Sequence, residues 1–165
     1  MLLDANLIFW GSAPFASASN FTSLAGIIPT ASTTSLVIDL GVARDLGIGD
    51  GPPNPKLHCQ IGTAITSSSA GVRLNLQFQG STDSSNWTTY VETGALATSA
   101  FAANTVVFKI DVPHRAAGAA LPRYYRLNIA GTGSTVETIS SGTILAGIVL
   151  QQDSSPFYPN NFSAV

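Results

Sequence analysis

Proton transfer, metal ligation and nucleophilic attack all need titratable side chains brought together. This chain of 165 residues carries nine Asp and Glu, two His and one Cys. A glycoside-cleaving site needs two carboxylates about 5–10 Å apart. Asp39, Asp45, Asp50, Asp83, Glu92, Asp111, Glu137 and Asp153 are scattered over strand-like and loop-like segments, so spacing nominates no pair. His58 and His114, with the single Cys59, fall short of the four ligands of a structural zinc site, and both histidines read as strand-surface or loop residues. Asp45 and Asp50 flank Gly47 and Gly49, but with too few oxygen ligands for a calcium loop, and a plain turn is the better reading. Neither a Gly-x-Ser-x-Gly elbow, a P-loop nor a dinucleotide fingerprint occurs. The expectation is a protein without catalytic residues, metal or cofactor.

Binding chemistry has more candidates. Asp83, Asn86 and Trp87 sit in a polar stretch, Gly80 to Asn86, that leads into a strand. A Trp beside polar side chains can hold a sugar by stacking and hydrogen bonding; the same pattern describes a hairpin loop whose Trp plugs the core, and the plug is the favoured reading. Arg123 and Arg126 flank Tyr124 and Tyr125. On a strand Arg126 shares a face with Tyr124, where it is expected to bond a carboxylate across the sheet or at a subunit interface. The aromatic residues concentrate at the two ends: Phe9, Trp10, Phe15 and Phe21 in the first 34 residues, and Phe157, Tyr158 and Phe162 in the last 13. Both stretches lack helical or strand period. They read as extended arms over residues 1–34 and 153–165, with Leu2 and these aromatics as docking anchors, although the N-terminal strap could equally cover its own core.

Between the arms, residues 35–152 alternate as strands do. Leu36, Ile38 and Leu40 share one face, as do Leu57, Cys59 and Ile61. Val72, Leu74, Leu76 and Phe78 alternate with Arg73, Asn75, Gln77 and Gln79, so one face is buried and the other wet. Val106–Val112 and Arg123–Ile129 alternate again, and the apolar run Ile144–Leu150 predicts a strand buried on both faces. Residues 95–103 offer at most a turn or two of helix. Seven or eight short strands punctuated by Gly, Pro and Ser predict an all-β, jelly-roll-like antiparallel β-sandwich.

The totals exclude several partners. Net charge is −2 and the seven Lys and Arg form no basic run, which argues against nucleic acid. The apolar stretches fall short of the roughly 20 residues that span a bilayer, so no membrane is expected. Met1–Leu7 has no basic region ahead of its apolar residues, which predicts synthesis and use without export. The lone Cys59 leaves stability to packing or assembly, because no disulfide can form within the chain.

Several segments, taken in order, resemble the small capsid cement (decoration) proteins of tailed bacteriophages, of the Bordetella-phage type. They are Met1-Leu2-Leu3-Asp4-Ala5, the stretch Val37–Gly49, Arg123-Tyr124-Tyr125-Arg126-Leu127-Asn128, the strand from Gly142 to Asp153, and the tail with Tyr158-Pro159 and Phe162. The resemblance implies a jelly-roll sandwich that forms a homotrimer on the outer surface of the virion capsid and clamps neighbouring major capsid protein subunits. The chain departs from the family in a longer Gly11–Thr34 stretch, an extended turn at 50–55 and a longer loop at 80–90. The alternative is a virion-displayed carbohydrate-binding or host-attachment module resting on Asp83, Asn86 and Trp87.

Overall fold

A computed structural model describes residues 2–10, 22–27, 33–43, 55–112, 120–132 and 138–151. The strands, in chain order, are β1 (Leu2–Trp10), β2 (Thr22–Ser23), β3 (Thr33–Thr34), β4 (Ile38–Asp39), β5 (Lys56–Ile61), β6 (Thr66–Ser67) and β7 (Arg73–Ser81). They continue as β8 (Thr88–Glu92), β9 (Leu96–Ala97), β10 (Val106–Asp111), β11 (Tyr124–Thr132), β12 (Ile139–Ser141) and β13 (Thr143–Gln151). A single 3-10 turn, Thr98–Ala100, is all that the Ala-rich stretch forms.

The protein is an all-β antiparallel sandwich. One sheet runs β1-β13-β5-β10, with β2 also on β13; the other runs β3-β11-β7-β8, with β4 on β11 and β9 on β7; β6 and β12 form a short separate pair. Period-two alternation explains the core. Leu57, Cys59 and Ile61 of β5 and Ile144, Ala146 and Ile148 of β13 face Leu74, Leu76 and Phe78 of β7 and Leu127 and Ile129 of β11, and all of them are buried. Residues 144–149 are buried without alternation, as expected for a strand covered on both faces.

The N-terminal residues depart from the arm expected of 1–34. The described parts of that segment are edge strands. β1 pairs with β13 through Leu3↔Val149 and Ile8↔Gly147, and β2 pairs with the start of the same strand through Thr22↔Ile144. β3 continues the theme in the opposite sheet, with Thr34 opposite Asn128. Backbone groups on the free side of β11 and β13 would otherwise stay unpaired, and a strap laid along both sheets satisfies them.

A second departure concerns the alternation expected from Leu36 to Leu40. Ser35, not Leu36, turns inward: its Oγ accepts from the Leu127 N–H at 2.8 Å and donates to the Leu36 carbonyl. This side chain stands in for a backbone acceptor and breaks the ladder into β3 and β4. Ile38 regains the core, and Leu36 is left 69% exposed. His58 also differs from expectation. It lies on the outer side of β5 yet is only 4% exposed, and burial lowers the pKa of its imidazole.

Candidate interaction surfaces

The residues proposed as docking anchors separate into four groups. Phe9 and Trp10 are buried in the chain's own core, which corrects their assignment as arm anchors. The reason is geometric: β1 is an edge strand of the sandwich whose register shifts between Ile8 and Trp10, so alternation fails there and Ile8, Phe9 and Trp10 are all buried. The Phe9 ring meets Phe78 of the facing sheet edge-on, with centroids 5.9 Å apart. Phe78 in turn stacks on Tyr125 at 5.5 Å, and Tyr90 leans on both. Leu2, in β1, pairs through its backbone with Gln151 of β13. Phe15, Phe21, Phe157, Tyr158 and Phe162 lie outside the described residues.

Arg126 is the fourth case. It makes no ion pair with a described carboxylate. Its Nε donates to Gln79 Oε1 at 2.8 Å, and its guanidinium lies 4.0 Å above the Trp87 ring centroid. The carboxylate partner belongs to Arg123, whose Nε and Nη2 bond both oxygens of Asp39 at 2.7 Å. That bidentate pair, with a further bond from the Gly41 N–H, holds the Asp39 carboxyl down at about 2. Sequence periodicity could not assign it, because Asp39 and Arg123 are 84 residues apart and meet only through the β4–β11 register.

Trp87 is not a core plug. It is half-buried beneath Arg126 and lies outside the buried cluster. Asp83 is committed to its own loop: Oδ1 accepts from the Ser85 and Asn86 N–H groups at 2.8 Å, and Oδ2 accepts from Asn86 Nδ2 at 2.8 Å. These bonds, led by the Asn86 N–H, push its carboxyl well below the ordinary range. Ser84 within the loop takes a left-handed φ of 61°. The Asp83–Asn86 pair therefore closes a turn and offers little to a ligand.

Two apolar surfaces were not anticipated. On the β3–β4 edge Leu36, Val37 and Val42 are exposed. Across the sandwich, a cleft of about 370 Å³ opens between β9 of that sheet and β10 of the other, floored by Phe101 and Phe108 and rimmed by the exposed Leu96 and Val106. No sequence signal marks these sites, since an exposed Leu in a strand has the same letter as a buried one. Among the described residues, no three His, Cys, Asp or Glu come together as a metal site, and no helix is long and apolar enough to cross a membrane. Compared with known proteins, the chain matches no family model and no curated sequence.

Proposed function

We propose that this protein is a capsid decoration protein of a tailed phage, made in the host cytoplasm and incorporated into the virion. It forms a homotrimer on the outer surface of the head and clamps neighbouring major capsid protein subunits. The sequence resemblance brings this reading forward, and two features of the fold support it.

The first is topology. Counting β3 and β4 as one broken strand and leaving aside the two- and three-residue pieces, the sandwich has eight strands: β1, β3/β4, β5, β7, β8, β10, β11 and β13. Their hydrogen-bonded partners are first with last (β1–β13), second with seventh (β3/β4–β11), third with sixth (β5–β10) and fourth with fifth (β7–β8). This nesting supports the jelly-roll reading, since it is what rolling one long antiparallel hairpin over on itself would give, as in viral capsid and lectin domains.

The second feature carries the functional reading: exposed apolar residues lie on the β3–β4 edge of one sheet, and an apolar cleft opens on the far side of the sandwich, between β9 of that sheet and β10 of the other. A protruding patch that fits a concave patch elsewhere on the same molecule makes a head-to-tail contact, and such contacts close into rings when the rotation permits. Leu36 and Val37 of one copy seated between Leu96 and Val106 of the next provide that contact. Three copies then present three equivalent faces to the shell, and binding of the first raises the effective concentration of the other two. A clamp built this way resists shear through buried area and needs no chemistry.

Light scattering on the purified chain tests the assembly, with an expected mass of three times 17.0 kDa. Sedimentation with expanded capsids lacking the protein tests the docking. Leu36→Asp and Val106→Asp, both at exposed positions, are expected to give folded monomers that stay in the supernatant. A wild-type monomer that does not pellet with the shells would overturn the proposal.

A further inference from the structure

We propose that the outer face of β11, β7 and β8 is a glycan-binding site, built by an amide ladder that ends at Arg126 and Trp87. The site is distinct from the Asp83 loop and does not depend on the capsid reading.

The ladder begins at Arg126, whose Nε donates to Gln79 Oε1 at 2.8 Å. Gln79 Nε2 donates to Thr89 Oγ1 at 3.0 Å and, more weakly, to Gln77 Oε1 at 3.3 Å. Asn128 Nδ2 also donates to Gln77 Oε1, at 2.8 Å. Gln77 Nε2 and Asn75 Nδ2 then converge on Glu92 Oε2 at 2.9 and 2.8 Å. Alternation turns these side chains outward, because Leu74, Leu76 and Phe78 between them fill the core.

Mutual hydrogen bonding fixes the rotamers before any ligand arrives, so little side-chain entropy remains to be lost on binding. It does not exhaust the groups. An amide nitrogen has two N–H donors and an amide oxygen two lone pairs. Asn75 and Gln77 each spend one N–H on Glu92. Gln79 Oε1 accepts one bond, and among the described residues the Arg126 Nη groups and Glu92 Oε1 make no hydrogen bond. The unused capacity that faces solvent is therefore an alternation of donor and acceptor, with N–H donors at Arg126, Gln77 and Asn75 and the acceptor Oε1 at Glu92, while Gln79 and Asn128, 7% and 4% exposed, brace the row from beneath.

A sugar hydroxyl is both donor and acceptor, so a polyhydroxylated chain matches that alternation, and the half-buried Trp87 adds apolar ring surface at one end. From Asn75 to Gln79 the row covers five strand residues, four steps or about 13 Å, the length of a short oligosaccharide. A protein partner fits less well. Protein interfaces are anchored by large apolar groups in desolvated pockets, and the exposed Leu and Val residues lie on the two sheet edges instead. Nucleic acid fits less well too, because Arg73 and Arg126 stand at separate points of a face that also carries Glu92 and form no positive cluster.

The test is calorimetric titration of the full-length protein with maltohexaose, cellohexaose, chitohexaose and hexagalacturonate, with tryptophan fluorescence read in parallel. At least one of these is expected to bind at millimolar concentration or below and to change the Trp87 emission. Gln77→Ala and Arg126→Met are each expected to weaken that binding about tenfold, the equivalent of one lost hydrogen bond to a charged or preorganised group. Circular dichroism confirms that both variants fold, and Asp83→Asn is expected to bind as the parent does. Failure of all four sugars to bind at millimolar concentration would overturn the proposal, and so would binding that survives both substitutions. A change in oligomeric mass on Gln77→Ala or Arg126→Met, without sugar binding, would assign the face to a protein contact and equally overturn it.

Discussion

Replacing Phe9 by Ala separates a core residue from a docking anchor. The ring is fully buried, and it bridges the two sheets through an edge-on contact with Phe78 at 5.9 Å. Truncation removes the transfer free energy of the side chain and leaves a cavity that the flanking strands fill only in part. For a buried Phe this costs about 3–5 kcal/mol, of which the aromatic pair itself supplies about 0.5–1.5 kcal/mol. With a urea m-value of about 2 kcal/mol per molar, the unfolding midpoint falls by about 2 M. That is a large share of a total stability of about 5–15 kcal/mol. The assay is urea denaturation followed by tryptophan fluorescence at fixed protein concentration, since association would otherwise shift the midpoint by mass action. Phe9→Leu, which keeps most of the volume, is expected to lose less than about 1.5 kcal/mol. An unchanged midpoint for Phe9→Ala, coupled with lost binding to shells, would refute the assignment and restore the ring as an arm anchor.

Acid should destabilise the fold through three carboxyls. Asp39 is held at about 2 by Arg123 and the Gly41 N–H, Asp83 is depressed by the Asn86 N–H and side-chain amide, the Ser85 N–H and the Ser81 hydroxyl, and Glu92 is lowered by the Gln77 and Asn75 amides. A depressed folded-state pKa contributes stability that is complete above the unfolded value, about 3.9 for Asp, and is lost as pH falls through the folded value. Melting temperature should therefore hold down to about pH 4 and drop below it, with a shallower drop in Asp39→Asn; an identical acid limb in that variant would refute the pairing. A Cβ on Gly80 would run into the Tyr90 ring, which packs against Phe78 and Tyr125. Gly80→Ala should cost about 1–3 kcal/mol by overpacking, and a parental melting temperature would mean that the ring swings aside freely. Burial pushes the Cys59 thiol far above its ordinary range, so a thiol reagent should label the protein only as fast as it unfolds; immediate labelling of the native protein would contradict the core placement.

Composition and period two together determined the class of fold. The alternation Val72-Leu74-Leu76-Phe78 could satisfy its apolar half only against a second layer, and the unbroken Ile144–Leu150 run required cover on both sides. Both readings needed only neighbouring letters, because side-chain direction along a strand is local geometry. Strand pairing was not local. Whether Phe9 covers the chain's own core or another molecule depends on β1 lying beside β13, a contact between residues more than 130 positions apart. The same holds for the Arg123–Asp39 pair and for the amide ladder, whose members come from three strands aligned only by register. Ser35 shows the limit most clearly. Its letter reads as a loop or surface residue, but in the fold its hydroxyl replaces a backbone acceptor for Leu127, breaks the edge strand and turns Leu36 outward. Sequence thus determined which residues wanted burial and at what spacing. Tertiary structure decided which surfaces remained for partners, because the free-energy balance between burying a side chain and pairing a backbone is settled only when distant strands meet.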